Sequence, residues 1–464
     1  MALVESISGV RGIYGKELTE EIAAKYAAAY LSFLRKKSKE KKDVSVVVGT
    51  DTRPSANLMK NSVMEALDCN VIDVGIASTP AVQHGVRKFK SDGGIIITAS
   101  HNEPFWNGFK FLCKSGSVLP EKDMEFLIIS RKKAKFSGSV SKRKIVVKER
   151  ELENEYNNFA LKTIGKKAIE SIRKKKIKIV VDPNGGAGIS SIKLLRKIGV
   201  DVKAVNFKNG EFNRAVEPNE ESMFYLNSVI KETGAEFAAG FDCDADRVEI
   251  LMAGGKMLSG NTILALATEE VLSSKNRNEK YAVVINDATS YVVRDTAKKY
   301  NAKIIETGVG EINVVSAMER YKAVIGGEGS SSGVILPPSK CRDGTMTLLM
   351  MLSIASRKSL HEAVNELPEY FTLRKKIEFN PSMQPSIRKH LKKYYSGKGL
   401  KIIENEGLKG SLKVITGKDS FVWFRASKTE GNIFRIMSDS RRLSQSEKLL
   451  RDAAEVFEKA NQSK

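Results

Sequence analysis

The sequence predicts an α/β protein of several units, on three observations. Short runs rich in Val and Ile, among them residues 44–48, 95–98, 177–182 and 281–286, each end abruptly in a glycine-rich or polar turn. Such runs read as strands covered on both faces, and helical periodicity between them gives a parallel sheet with crossover helices. A chain of 464 residues holds three or four domains of roughly 100–150 residues each. From residue 367 onward the style changes, to strands separated by turns rather than by strand–helix repeats.

The elements follow in order. Ser8-Gly9-Val10-Arg11-Gly12 reads as a turn around an arginine, and residues 18–34 as an alanine-rich helix. The strand 44–48 closes in Gly49-Thr50-Asp51-Thr52-Arg53-Pro54-Ser55, with Ser55 placed to cap the next helix. A strand over 71–74 leads to Ser78-Thr79-Pro80. The strand 95–98 then stops at Ser100-His101-Asn102, three residues with little use in a packed interior. A hydroxyl there stands at the carboxyl end of a strand, where α/β sheets carry their chemistry. Asn107-Gly108 reads as a tight turn returning Lys110 toward that serine. By itself a Ser-His pair is also compatible with a plain polar turn.

After a charged stretch at 131–150, a second unit begins with the strand 177–182. Its turn, Pro183 to Gly188, enters a helix over 189–198. It lacks the Lys-Ser/Thr of a P-loop and reads as a structural turn. The strand 237–241 ends in Asp242-Cys243-Asp244-Ala245-Asp246-Arg247. Three alternate carboxylates repel one another unless a cation neutralises them, and an all-oxygen set suits a hard divalent ion. An EF-hand would need a central Gly and a distal Glu, whereas here a strand resumes at Val248.

A third unit has strands at 281–286, 303–306 and 323–325, with a helix reaching Lys299. Its last strand runs into Gly326-Gly327-Glu328-Gly329-Ser330-Ser331-Ser332-Gly333. A flexible loop is one reading; a carboxylate that accepts hydrogen bonds from two vicinal hydroxyls is the other. The final unit has strands at 371–379, 420–425 and 432–437 and a helix at 385–395. Arg425, Ser427, Lys428 and Thr429, with Arg435 on the following strand, make a set suited to phosphate oxygens.

Four of these loops resemble, in order, those of the archaeal-type α-D-phosphohexomutases, the phosphoglucomutase, phosphomannomutase and phosphoglucosamine mutase family. The residues are Thr98-Ala99-Ser100-His101-Asn102 with Asn107, Gly108 and Lys110; Asp242 to Arg247; Glu328 to Gly333; and Arg425 to Glu430. Glu103 stands where that family has Pro, Cys243 where it has Gly, Lys428 for Gly/Asn and Gly431 for Pro. The Cys243 departure matters if that position takes positive φ. The third loop carries one additional residue, which makes Ser330 the nearest equivalent of the family's Ser/Asn.

The resemblance implies three related mixed α/β domains and a smaller α+β C-terminal one around a central cleft, with boundaries at 1–148, 149–252, 253–366 and 367–464. It implies an isomerase that interconverts hexose 1-phosphate and hexose 6-phosphate through a phosphoserine at Ser100 and a sugar bisphosphate. Mg²⁺ would sit on Asp242, Asp244, Asp246 and the Ser100 phosphoryl group, with hexose 1,6-bisphosphate as activator. His101, Lys110 and Arg247 would serve the chemistry, Arg11, Glu328 and Ser330 the sugar, and Arg425, Ser427, Lys428, Thr429 and Arg435 the distal phosphate. Phosphomannomutase/phosphoglucomutase is the reading, and phosphoglucosamine mutase the alternative. A metal-dependent sugar phosphatase is a remoter rival, for which the sugar and phosphate loops are redundant.

Composition excludes other classes. No run of about 18 apolar residues exists to span a membrane, and residues 347–356 read as a core helix. The N-terminus lacks a secretory pattern. Four scattered cysteines without a Cys-x-x-Cys argue against disulfides and structural zinc, and fit a reducing cytoplasm. The net charge of +22 raises nucleic acid as a partner. Its basic clusters do not interleave with aromatics, however, which total 7%, so a base-stacking surface is not supported. A basic surface that steers phosphosugars, on a monomer or homodimer, is the expectation.

Overall fold

In the computed structural model, residues 3–6, 9–38, 43–134, 144–405, 410–427 and 431–462 are described. The chain forms two compact units. The first joins residues 1–258 to 333–360, and the second joins 259–332 to 361–464.

The first unit holds two sheets. The larger has seven strands, in the order Val4–Ser6, Gly9–Ile13, Trp106–Cys113, Gly93–Ile97, Ser45–Thr50, Asn70–Ile76 and Ile145–Val147. Ser45–Thr50 pairs in parallel with both neighbours, while Trp106–Cys113 runs antiparallel to the strands beside it. Period-2 alternation sorts the apolar run. Val46 and Val48 face one core with helices Glu20–Lys37 and Ala56–Ala66, while Val47 faces another with helix Thr79–Lys88 and Leu152. Burial on both faces is why these strands read as unbroken apolar runs. The second sheet orders Val248–Met252, Phe237–Phe241, Lys178–Asp182 and Asp201–Ala204. All twelve residues of helix Gly344–Ala355 are buried. The helix packs on Glu149–Ile164 and Lys166–Lys175, and its cap Asp343 accepts from Tyr156 Oη at 2.6 Å. Residues 333–360 therefore belong to the first unit although they lie within the expected 253–366 segment.

The second unit holds a parallel sheet centred on Ala282–Asn286, flanked by Lys303–Thr307 and Ile325–Gly327. It also holds a five-stranded antiparallel sheet ordered Phe371–Glu378, Ile433–Ser440, Ser420–Ala426, Leu412–Gly417 and Lys401–Glu404. Helices Gln384–Gly397 and Leu443–Gln462 cover one face of that sheet.

Three local expectations are corrected. Gly9–Ile13 is a strand rather than a turn, because pairing with Trp106–Cys113 (Arg11 opposite Gly108) overrides the glycine signal. Asn107 and Gly108 lie inside a strand, not a turn. A Cβ at Gly108 would stand 2.1 Å from the Val10 carbonyl, so this glycine serves close approach. Ser55 begins helix Ala56–Ala66 without a capping bond; its hydroxyl accepts from Asn107 Nδ2 at 2.8 Å.

Candidate active site

Strand Gly93–Ile97 is buried throughout and delivers Ser100 into a loop that the neighbouring chain fixes. Ser100 is buried and takes φ +53°, a left-handed conformation that a non-glycine residue keeps only where its surroundings impose it. Its amide donates to Thr98 Oγ1 at 2.8 Å, and its hydroxyl lies 3.3 Å from Asp242 Oδ2. Arg11 Nη1 donates to Asn102 Oδ1 at 2.9 Å.

The carboxylate loop follows strand Phe237–Phe241. Asp242, Asp244 and Asp246 are all buried, and one oxygen from each lies within 4.8 Å of the others. The left-handed residue in this loop is Ala245 (φ +53°). Cys243 is not in that region, so replacing Gly there costs no backbone strain. Its thiol is buried 3.8 Å from Thr52 Oγ1, and burial pushes its pKa well up.

Cations converge on the three carboxylates. Lys110 Nζ stands 2.7 Å from Asp244 Oδ2 and 3.1 Å from Asp246 Oδ2. It reaches them because alternation along Trp106–Cys113 sends Phe109 and Phe111 into one core and Lys110 and Leu112 to the opposite face. Thr79 Oγ1, at the start of helix Thr79–Lys88, donates to Asp244 Oδ2 at 2.5 Å. Arg342 Nη2 is 3.4 Å from Asp246 Oδ2, and Arg247 Nε is 3.7 Å from Asp246 Oδ1. Arg247 Nη1 also reaches Glu217 at 3.3 Å. Burial, then Asp246 and Asp244, drive the Asp242 pKa well up. Burial opposes the charge on Asp246 as well, but Lys110, Arg342 and Arg247 outweigh it and hold that carboxyl below the usual range.

Asp244 Oδ1 and Asp246 Oδ1 are buried without a hydrogen-bond partner. Buried anionic oxygens without a hydrogen bond, beside a third buried carboxylate, fit a divalent cation. His101 Nδ1 is likewise buried without a partner. Burial, then Arg247 and Arg11, lower the His101 pKa to about 2, which keeps the imidazole uncharged.

In the second unit Glu328 follows strand Ile325–Gly327 and is buried. Its Oε1 accepts from Asn286 Nδ2 and from the Gly310 amide, both at 2.9 Å. Ser330 is exposed at the tip of the loop. Arg425 and Arg435 stand directly opposite each other on adjacent strands, and the Ser427 amide donates to the Ile433 carbonyl at 2.8 Å. Burial lowers the Arg425 pKa, while Asp287 and Glu328 work against that shift. Lys428 and Thr429 lie outside the described residues.

Two residues beside these loops do not stand out in the sequence. Arg53 is buried and donates to the carbonyls of Ser100, Asn102, Glu103 and Trp106. Its signal was a charged pair, Asp51 and Arg53, directly behind a buried strand. Lys376 stands opposite Arg435, so Lys376, Arg435 and Arg425 form one row on a single face of the sheet. Only the strand register reveals that row.

Three family models match this chain: phosphoglucomutase/phosphomannomutase α/β/α domain I over residues 5–137, domain II over 154–255 and domain III over 259–371. A phosphoglucomutase/phosphomannomutase of Thermococcus kodakarensis is 34% identical, with 97% of this chain and 98% of that protein covered. A phosphoglucosamine/phosphogalactosamine mutase of Sulfurisphaera tokodaii is 29% identical, over 97% of this chain and 98% of that one. Among solved structures, a phosphoglucomutase/phosphomannomutase family protein of Burkholderia thailandensis superposes with a TM-score of 0.82 at 21% identity, covering 98% and 97% of the two chains. The Paramecium phosphoglucomutase pp63/parafusin gives 0.80 at 19% identity, covering 98% and 94%. At those identities the two structures speak for the fold.

Proposed function

Because the chain belongs to the phosphoglucomutase/phosphomannomutase family, we propose that it is a phosphohexomutase using Ser100 as its phosphoryl carrier. The observation that carries this reading is the Ser100 hydroxyl 3.3 Å from Asp242 Oδ2, beside three convergent buried carboxylates. Such an enzyme is an isomerase that exchanges hexose 1-phosphate and hexose 6-phosphate. Phosphomannose and phosphoglucose are the proposed substrates, and glucosamine phosphate is the competing sugar.

Asp242, Asp244 and Asp246, with an oxygen of phosphorylated Ser100, would hold Mg²⁺, which when bound supplies charge neutralisation to the transferring group. The Ser100 Oγ–P bond breaks as a sugar hydroxyl oxygen bonds phosphorus. The hydroxyl proton leaves to a neighbouring base. His101 and Lys110 are the groups proposed for proton transfer and charge balance. Arg247 and Arg11 face the same anionic centre. The bisphosphate then returns its other phosphoryl group to Ser100, and free hexose 1,6-bisphosphate would recharge enzyme that has lost its phosphate. Arg425, Ser427, Lys428, Thr429 and Arg435 are proposed to hold the phosphate that is not reacting, and Glu328 and Ser330 to read the sugar hydroxyls. A cytoplasmic enzyme, monomeric or dimeric, fits this reading. Among the described residues no helix is long and apolar enough to cross a membrane.

Intact mass before and after mild phosphatase, peptide mapping and turnover of Ser100→Ala test the proposal. Phosphate on Ser100 and a dead but folded variant are expected. A Ser100→Ala enzyme with near-native turnover would refute the carrier role.

A further inference from the structure

We propose that Arg53 is the positioning residue for phosphoryl transfer, acting as a backbone clamp that holds Ser100 in its left-handed conformation. The inference rests on the reading of Ser100 as the phosphoryl carrier.

A guanidinium has five N–H donors in one rigid plane, and here all five are used. Nε donates to Asp51 Oδ2 at 3.0 Å. Nη1 donates to the Glu103 and Trp106 carbonyls at 2.6 and 3.0 Å, and Nη2 to the Ser100 and Asn102 carbonyls at 2.7 and 2.6 Å. Four of the five bonds therefore end on a single loop. That loop leaves strand Gly93–Ile97 and returns as Trp106–Cys113; the Glu103 carbonyl also accepts from the Trp106 amide at 2.9 Å, and Arg53 supplies a donor to each of the four carbonyls. Asp51 fixes the clamp in turn, since its Oδ1 accepts the Arg53 amide at 3.0 Å. Both side chains are buried.

The clamp acts through shape rather than charge. Asp51 neutralises the guanidinium locally, and the four loop contacts are to uncharged carbonyls. This suits a serine whose load changes in every cycle. A phosphoryl group adds roughly −1.5 to −2 of charge, and a loop held through its side chains would relax each time that charge left. A loop held by its carbonyls keeps Ser100 Oγ beside Asp242 in both states. Lysine preserves the charge but has three donors on a flexible stem and cannot reproduce the planar fork.

The test compares wild type with Arg53→Lys and with Arg53→Ala plus added guanidinium. Amide exchange over residues 100–106 needs no substrate, so it judges the clamp even if no mutase turnover is found; absent turnover refutes the functional reading alone. We expect Arg53→Lys to unfold cooperatively but to exchange about tenfold or more faster across 100–106 than in its other loops. Its kcat should fall about a hundredfold with KM little changed, as a displaced reacting group predicts. Guanidinium should restore part of both in Arg53→Ala. Wild-type exchange over 100–106, a retained kcat, or a rise in KM alone would overturn the clamp. If Arg53→Lys does not fold, Asp51→Asn, which removes the carboxylate that aims Nε, should loosen the same segment; unchanged exchange there would equally overturn it.

Discussion

The ammonium of Lys110 lies 2.7 Å from Asp244 Oδ2 and 3.1 Å from Asp246 Oδ2, so it shares two of the three carboxylates proposed to bind metal. A monovalent cation held there competes with a divalent one for the same carboxylates. Lys110→Met removes the competitor while keeping the bulk. Mg²⁺ should then bind about tenfold tighter, roughly 1.4 kcal/mol, by titration calorimetry. Turnover should nevertheless drop on the order of a hundredfold, as loss of an acid–base or charge-balancing group does. Weaker metal binding in Lys110→Met would show that the lysine organises the site rather than competing for it.

Asp343 supplies a pH signature of stability. Burial raises its pKa to about 6, against the partial relief given by the Met346 amide and Tyr156. A carboxyl whose folded pKa is raised prefers its neutral form in the native state. Its contribution is therefore full below the unfolded pKa, near 4, and is lost as pH rises through about 6. The loss is roughly 3 kcal/mol or less. Asp343→Asn, which keeps an N-cap acceptor, should flatten this slope, so that Tm relative to wild type improves from pH 4 to pH 7. A parallel pH dependence in both proteins would remove Asp343 as its source.

Lys376 faces Arg435, which faces Arg425, along one row of the sheet. Like charges directly opposite are unfavourable, and a row of them suits an anion. In Lys376→Ala the KM for a hexose phosphate should therefore rise about tenfold. The salt dependence of KM should also become shallower. A KM equal to wild type would exclude Lys376 from the phosphate site.

Glu328 bears on sugar choice. Its Oε1 is held by Asn286 and Gly310, which fixes the carboxylate for hydroxyl recognition. No residue dedicated to carbon 2 emerges from the loop. Glucose 1-phosphate and mannose 1-phosphate should therefore turn over with kcat/KM values within about a hundredfold of each other, and Glu328→Gln should lower both. Measuring glucose, mannose and glucosamine phosphates side by side decides it. Strict exclusivity with Glu328→Gln indifferent would place specificity elsewhere.

What the sequence made legible was chemistry concentrated in short segments. The strand before Ser100, the three aspartates and the run after Ile325 all announced themselves, because a buried apolar strand ending in polar residues is a local signal. Less visible was whatever depended on pairing across distance. Gly9–Ile13 looked like a turn because nothing in its own five residues shows the partner strand, and Asn107-Gly108 looked like a turn for the same reason. Arg53 reads in the sequence only as part of a closing loop, since four of its contacts are carbonyls about fifty residues further on. Lys376 acquires a role only through strand register. In the second unit, strands 420–425 and 432–437 are legible, whereas Lys401–Glu404, Leu412–Gly417 and the C-terminal helix Leu443–Gln462 carry weaker patterns and emerge only in the structure.

Helix Gly344–Ala355 has consequences for synthesis. It packs inside a unit whose other part ends at residue 258, so the ribosome must add about a hundred residues before that unit can close. At roughly 5–20 residues per second, the nascent chain keeps the apolar surfaces of helices Glu149–Ile164 and Lys166–Lys175 uncovered for several seconds. A fragment ending at 258 should accordingly bind an apolar dye that the full chain does not, and chaperone dependence should centre on that interval of translation.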